Sequence, residues 1–204
     1  MRPVTRQHAA GNYPFKFVCV KMTIMKYFYY TGILFIIIIL ILSVSSSFAL
    51  TPGTLYHVTQ VSDGNTISIR VTSFAGIPLK VERVRLIGSD APELKQEPWG
   101  RPAKRQLRKL IGENCWVVNV EFDLQQRDSN GRLLAYLWNK KGELINEKLL
   151  EEGYAVLYTL PANVKYIDRL AAAQKRAESA RAGIWKNGGL KEPPKQWRSA
   201  HLRN

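Results

Sequence analysis

Leu55-Tyr56-His57-Val58-Thr59-Gln60-Val61, Ser62-Asp63-Gly64-Asn65 and Thr66-Ile67-Ser68-Ile69-Arg70-Val71 follow one another without a break. The two outer runs are short alternating strands. The Asp-Gly between them is a hairpin signal, because glycine takes the positive φ that such turns need. A second turn near Ala75-Gly76-Ile77-Pro78 leads into a third strand, Lys80 to Gly88, so the three runs predict an antiparallel meander. Ala91-Pro92-Glu93 breaks that strand. Pro102 to Ile111 then has helical spacing, with Ala103, Leu107 and Leu110 on one face and Lys104, Arg105, Arg108 and Lys109 on the others.

Further along, Trp116 to Phe122 and Leu133 to Trp138 read as two more strands. A helix from Gly142 carries Leu144, Ile145, Leu149 and Leu150 and closes at Gly153. A final amphipathic helix spans about 164–182, with Gly183 as its C-cap. The fold class expected is therefore α+β, a five-stranded OB-type β-barrel with three α-helices. From Lys186 onward, Gly188-Gly189, Pro193-Pro194 and mixed charges predict a loosely ordered tail. The expected organisation is an N-terminal extension over 1–49, a domain over 50–186 and a flexible basic tail over 187–204.

The extension reads as an address. Tyr27 to Leu42 is almost continuously apolar, which does not suit the core helix of a soluble domain. Lys16, Lys21 and Lys26 precede it, and Ser47-Phe48-Ala49 follows it with small residues where a signal peptidase cuts. Two readings stay open: a signal peptide cleaved near Ala49, or an uncleaved membrane anchor through residues 27–42 with its positive end in the cytoplasm. Either one places the domain outside the cytoplasm, secreted, periplasmic or tethered to the membrane. Met22 or Met25 would give a signal of more ordinary length.

Thirty Lys and Arg against sixteen Asp and Glu give the 204-residue chain a formal net charge of +14. Residues 1–49 hold five of the basic residues and no acidic ones, so the remainder keeps 25 against 16, or +9. Such a charge suits a polyanionic partner, although a solvated basic face explains it equally well. Two cysteines, Cys19 and Cys115, exclude a disulfide framework and a CxxC metal or redox motif. Cys115 sits in the apolar run Asn114-Cys115-Trp116-Val117-Val118 and is expected to be buried. His57 reads as a surface or rim residue.

Three polar clusters interrupt this pattern: Asp63-Gly64-Asn65-Thr66, Arg85-Leu86-Ile87-Gly88-Ser89-Asp90-Ala91-Pro92-Glu93, and Asp128-Ser129-Asn130-Gly131-Arg132. Each alone is an ordinary turn or strand end. Their order and spacing, with a helix between the second and third, resemble the staphylococcal nuclease family. Gly131-Arg132-Leu133-Leu134-Ala135-Tyr136, Asn146-Glu147 and Gly153 extend the resemblance, which covers roughly Tyr56 to Trp185.

The resemblance implies a monomeric, calcium-dependent nuclease acting on DNA, RNA or both. Its metal ligands would fall on Asn65, Asp90 and the backbone carbonyl of Ala91, and hard oxygen donors are what calcium takes. Glu93 would position or deprotonate the attacking water. Arg85 and Arg132 would grip the scissile phosphate, since guanidinium forks fit phosphate oxygens and stay charged.

Asn65 departs from the family, which usually has Asp there, so the site loses a negative charge and calcium should bind more weakly. The tyrosines that the family places beside the nucleotide have no clean match in Tyr154 or Tyr158. An alternative is an OB-type module that binds nucleic acid without cutting it. Against that stands Glu93, a carboxylate that a pure binder has no use for beside a phosphate.

Overall fold

The structure, a computed structural model, describes residues 32–33, 54–72, 76–188 and 190–201. Contacts divide the chain at Ala49/Leu50 into two units. In the first, Gly32 and Ile33 are helical. The signal-or-anchor segment over residues 27–42, the small-residue site at 47–49 and Cys19 otherwise lie outside the described residues. No helix among the described residues is long and apolar enough to cross a membrane.

The second unit is built on a closed barrel. Its strands are β1 (Leu55–Val61), β2 (Thr66–Thr72), β3 (Pro78–Leu86), β5 (Val117–Glu121) and β6 (Leu133–Trp138), in the order β1-β2-β3-β6-β5. β1, β2 and β3 form the expected antiparallel meander, and β3 pairs in parallel with β6 to close the wall. A register shift between Val58 and Gln60 adds one residue to β1, so Tyr56, Val58 and Val61 are all buried despite their uneven spacing. Ile67, Ile69, Val84, Leu86, Val118, Val120, Leu134 and Leu137 belong to the same buried core.

Helix α1 (Gly100–Glu113) buries Ala103, Leu107 and Ile111 and leaves Arg101, Arg105, Arg108 and Lys109 to solvent. Each large aliphatic side chain buried this way contributes about 1.5–3 kcal/mol. Helix α2 (Ile145–Glu151) and helix α3 (Ile167–Ser179) pack against each other, and Leu149, Leu150, Leu170 and Ala173 join the core. α2 begins later than expected because Gly142, at φ +76°, makes a turn before it.

Four expectations need correction. The third strand does not run through to Gly88. It stops at Leu86, and Gly88–Asp90 form a separate strand β4, paired antiparallel with β7 (Val156–Tyr158). Gly88 makes this break: it has φ +73°, and a Cβ on it would lie 2.2 Å from Leu170 Cδ1. Cys115 is exposed rather than buried, because Cys115 and Trp116 take left-handed φ of 57° and 59° in the turn that ends α1. That turn also delays β5 to Val117. α3 ends on a left-handed Arg181, at φ 49°, rather than on Gly183. Gly183 packs instead against the Gly153 backbone, where a Cβ would come 2.1 Å from the Gly153 carbonyl oxygen.

The helix count is the fourth correction. Residues 194–201, expected within a loose tail, form a helix α4 (Pro194–His201) after a 3-10 turn at Gly183–Gly188. From residue 54 onward the described residues therefore hold four α-helices rather than three.

Candidate active site

The hairpin turn is tied locally. Asp63 Oδ1 accepts the Asn65 backbone N–H at 2.9 Å, the short-range bond that suits Asp to turns. Gly64 lets the turn press against its neighbours: a Cβ there would lie 2.5 Å from Ala91 Cβ and 2.8 Å from Ala103 Cβ. Asn65 is thereby buried, and its carbonyl accepts the Leu86 N–H at 2.9 Å.

Around Asn65 a charged cluster assembles. Arg85 lies opposite Thr66 in the β2–β3 register, and its guanidinium donates to Asn65 Oδ1 through Nη1. Arg85 Nη2 reaches Asp90 Oδ1 at 2.7 Å. Asn65 Nδ2 donates to the Ser89 carbonyl at 3.3 Å and faces Asp90 Oδ1 at 3.5 Å. Asp90, on β4, has a side chain only 1% exposed. A carboxylate so deeply buried must be met by positive charge or strong donors.

Glu93 sits on the loop between β4 and α1. Its backbone is pinned from both sides: Gln96 Oε1 accepts the Glu93 N–H at 3.3 Å, and the Glu93 carbonyl accepts the Gln96 N–H at 2.8 Å. Gly100 is pressed against the same carbonyl, which a Cβ would approach to 1.8 Å. The Glu93 side chain, 28% exposed, thus comes from a fixed backbone but opens to solvent.

A residue that sequence reasoning missed completes the cluster. Arg198, on α4, donates from Nη1 to Asp90 Oδ1 at 3.0 Å and to Glu93 Oε1 at 2.9 Å, and from Nη2 to Asp90 Oδ2 at 2.8 Å. Burial works against its charge, but its bonds to Asp90 and Glu93 more than offset that and raise its pKa above the ordinary arginine value. Nothing in its neighbouring residues marks Arg198 out within the basic tail.

Arg132 is held differently. Asp128 Oδ1 accepts the backbone N–H groups of Asn130 and Arg132 at 2.9 and 3.0 Å, and Asp128 Oδ2 accepts Arg132 Nε at 2.7 Å. Burial raises the Asp128 pKa, but its bonds to Arg132 outweigh that and hold the carboxyl below its ordinary value. Arg132 leads into β6 two residues before Leu134, the partner of Arg85 across the β3–β6 pairing. The site residues thus fall into a cluster of Asn65, Arg85, Asp90, Glu93 and Arg198 and a separate Arg132–Asp128 pair.

As a donor set, Asn65, Asp90 and Glu93 bring hard side-chain oxygens to one cluster around a deeply buried carboxylate, the donor type that calcium takes, and Ala91, next to Asp90, is buried. Among the described residues no group of three His, Cys, Asp or Glu is gathered for a metal ion.

The family profile described as "Staphylococcal nuclease homologue" matches residues 83–187. The thermonuclease of Staphylococcus hyicus is 35% identical over 137 residues, 65% of this chain and 76% of that protein. The thermonuclease of Staphylococcus intermedius is 36% identical over 138 residues, covering 65% and 77%.

The chain belongs to the staphylococcal nuclease family.

Endonuclease YncB of Bacillus subtilis (strain 168) is also similar, 34% identical over 134 residues, 62% of this chain and 59% of that protein. Arg85, Asp90, Ala91, Glu93 and Arg132 lie within the residues that the staphylococcal nuclease profile matches, whereas Asn65 and Arg198 lie outside them.

A second missed residue supports the site from below. Asn146, fully buried on α2, donates from Nδ2 to the Ile87 carbonyl at 2.8 Å, and its Oδ1 accepts the Leu137 N–H at 2.9 Å. It ties β6 to the point where the chain leaves β3 for β4. In the sequence Asn146 figures only within the family pattern, and an amide among the apolar residues at the start of a helix is the signal that marks it.

Proposed function

We propose that this nuclease-type hydrolase cleaves phosphodiester bonds of DNA, RNA or both, outside the cytoplasm and with calcium. The observation that carries the reading is the placement of Glu93, a partly exposed carboxylate on a pinned backbone, beside the buried Asp90 and within one guanidinium of it. Family membership supports the hydrolase, and the apolar run at residues 27–42 is the basis for export or tethering.

Asn65, Asp90 and the Ala91 carbonyl are the residues that would hold the ion. When bound, calcium supplies positive charge that polarises the phosphoryl group. The rest of the chemistry belongs to the chain. Glu93 orients a water molecule and takes its proton as the water oxygen bonds to phosphorus. The P–O bond to one sugar oxygen then breaks. Arg85 and Arg132 stabilise the extra negative charge that develops on the phosphoryl oxygens, each with a guanidinium already oriented by a carboxylate. Asn65 keeps an amide oxygen at the ligand position but one fewer charge, so the calcium requirement should be high.

The test is digestion of single-stranded DNA, duplex DNA and RNA across a calcium titration with a chelator control, beside Glu93→Gln and Asn65→Asp. Calcium-dependent cleavage that Glu93→Gln loses, and that Asn65→Asp shifts to lower calcium, supports the proposal. Salt-sensitive binding of DNA without cleavage at any calcium level would sink it and leave the binding module.

A further inference from the structure

The observation that the proposed chemistry does not use is Arg198. Its guanidinium takes both oxygens of Asp90 and one oxygen of Glu93. These are the two carboxylates that supply the charge for a cation and for activating water. Arg198 arrives from a helix 105 residues beyond Glu93 in the chain. A planar fork with two donating edges suits two neighbouring carboxylates, which explains why an arginine rather than a lysine can hold both.

The element that carries Arg198 is lightly attached. Of the α4 residues only Pro194 is buried. Trp197, partly buried, stacks on His201 of the same helix at 4.4 Å between ring centroids. Beside the Arg198 fork, the polar contacts of this segment to the domain include a 2.7 Å bond from Gln96 Nε2 to the Glu192 carbonyl and Lys195 Nζ lying 5.7 Å from the Tyr158 ring centroid. A gap of about 610 Å³ lies between the Gln96–Trp99 loop and the segment leading into α4, lined also by Trp197 and His201. α4 is therefore held chiefly by charge and little by apolar burial, which suits reversible docking.

We propose that α4 is an autoinhibitory element whose Arg198 competes with calcium for Asp90 and at the same time occupies Glu93. This rests on the calcium reading above. A guanidinium bonded to both Asp90 oxygens and a cation coordinated by them exclude each other, so every docked molecule is lost to calcium binding. The apparent affinity for calcium falls by the fraction of molecules with α4 undocked. Asn65 sharpens the competition: with one carboxylate fewer at the ligand position, a single fixed positive charge matches the site better than it would match a more acidic one. Calcium, in turn, releases α4.

Calorimetric titration of calcium into the full chain, without nucleic acid, tests this against Arg198→Ala and Arg198→Lys. Arg198→Ala should bind calcium roughly tenfold more tightly than the parent chain, with Arg198→Lys between them. Tryptic cleavage after Lys195 gives an independent readout: calcium should accelerate it in the parent chain, whereas Arg198→Ala should be cleaved readily with or without calcium. Equal calcium affinities in the parent and Arg198→Ala would overturn the competition while leaving the metal site standing. No calcium binding by either chain at millimolar concentration would overturn the metal reading and the competition together.

Discussion

Two arginine–carboxylate arrangements in this molecule are built on opposite principles. Arg132 and Asp128 are four residues apart in one loop, and the same carboxylate that grips the guanidinium also binds two backbone N–H groups of that loop. The cluster around Asp90 draws Asn65 from a hairpin turn, Arg85 from β3, Glu93 from a loop and Arg198 from the last helix. The first arrangement depends on local chain geometry. The second depends on close backbone approaches, at Gly64, Gly88 and Gly100, that no local rule supplies. Damage far from the chemistry should therefore hurt the second and spare the first.

The largest effect expected is from the local pair's own function. Arg132→Ala should lower kcat/KM by about 100–1000-fold, the loss usual for one donor to a developing oxyanion, while the thermal midpoint moves little. Steady-state kinetics beside a melting curve separates the two quantities. An unchanged kcat/KM would remove Arg132 from the reaction.

Gly100→Ala attacks the assembled cluster without touching a charged group. The added Cβ meets the Glu93 carbonyl and must displace the loop, so activity should fall about 100-fold. A crystal structure should show Glu93 moved and the Arg132–Asp128 pair intact. If activity survives, Glu93 does not need its fixed backbone.

Asn146→Ala leaves the Leu137 N–H and the Ile87 carbonyl buried without their partner. It should cost about 2 kcal/mol of stability, read from chemical denaturation. A loss of a few tenths would mean that the β6–Ile87 junction holds without it.

Acid sensitivity distinguishes the pair by a smaller effect. Because the Asp128 pKa is lowered on folding, its contribution is fully present above the ordinary value of 3.8 and is lost as pH falls through the folded value. Asp128→Asn should therefore flatten the stability profile in that acid window and cost about 1 kcal/mol at neutral pH. A profile identical to that of the parent chain would contradict it.

The smallest effect has the opposite sign. Burial raises the Glu152 pKa above 4.5, more than Lys109, Lys148 and the Gln106 bond lower it. The folded state then holds a proton that the unfolded state releases, and stability falls as pH rises from 4.5 through the raised value. Glu152→Gln should remove that fall and stabilise the chain at neutral pH by under about 1 kcal/mol. No change in the denaturation midpoint at pH 7 would argue that Glu152 relaxes into solvent.

The barrel was legible because short alternating or apolar runs bounded by turns mark its strands, and the Asp63-Gly64 turn joins the first two over a few residues. Within the site, Asp63, Asn65, Arg85, Asp90, Glu93 and Arg132 could be named because their turns and spacing follow a family pattern. Arg198 could not, since nothing in Pro194–His201 separates it from the other basic residues of the tail.

The sequence by itself determined the meander, the amphipathic face of α1 and the local pairing of Arg132 with Asp128, because each follows from side-chain period or from neighbours a few residues apart. Tertiary structure alone decided the departure of Gly88–Asp90 from the barrel, the exposure of Cys115 and the docking of Arg198 on Asp90 and Glu93. Those outcomes depend on which backbones can approach closely and on which distant charge reaches a buried carboxylate. Both are properties of the packed chain rather than of any segment of it.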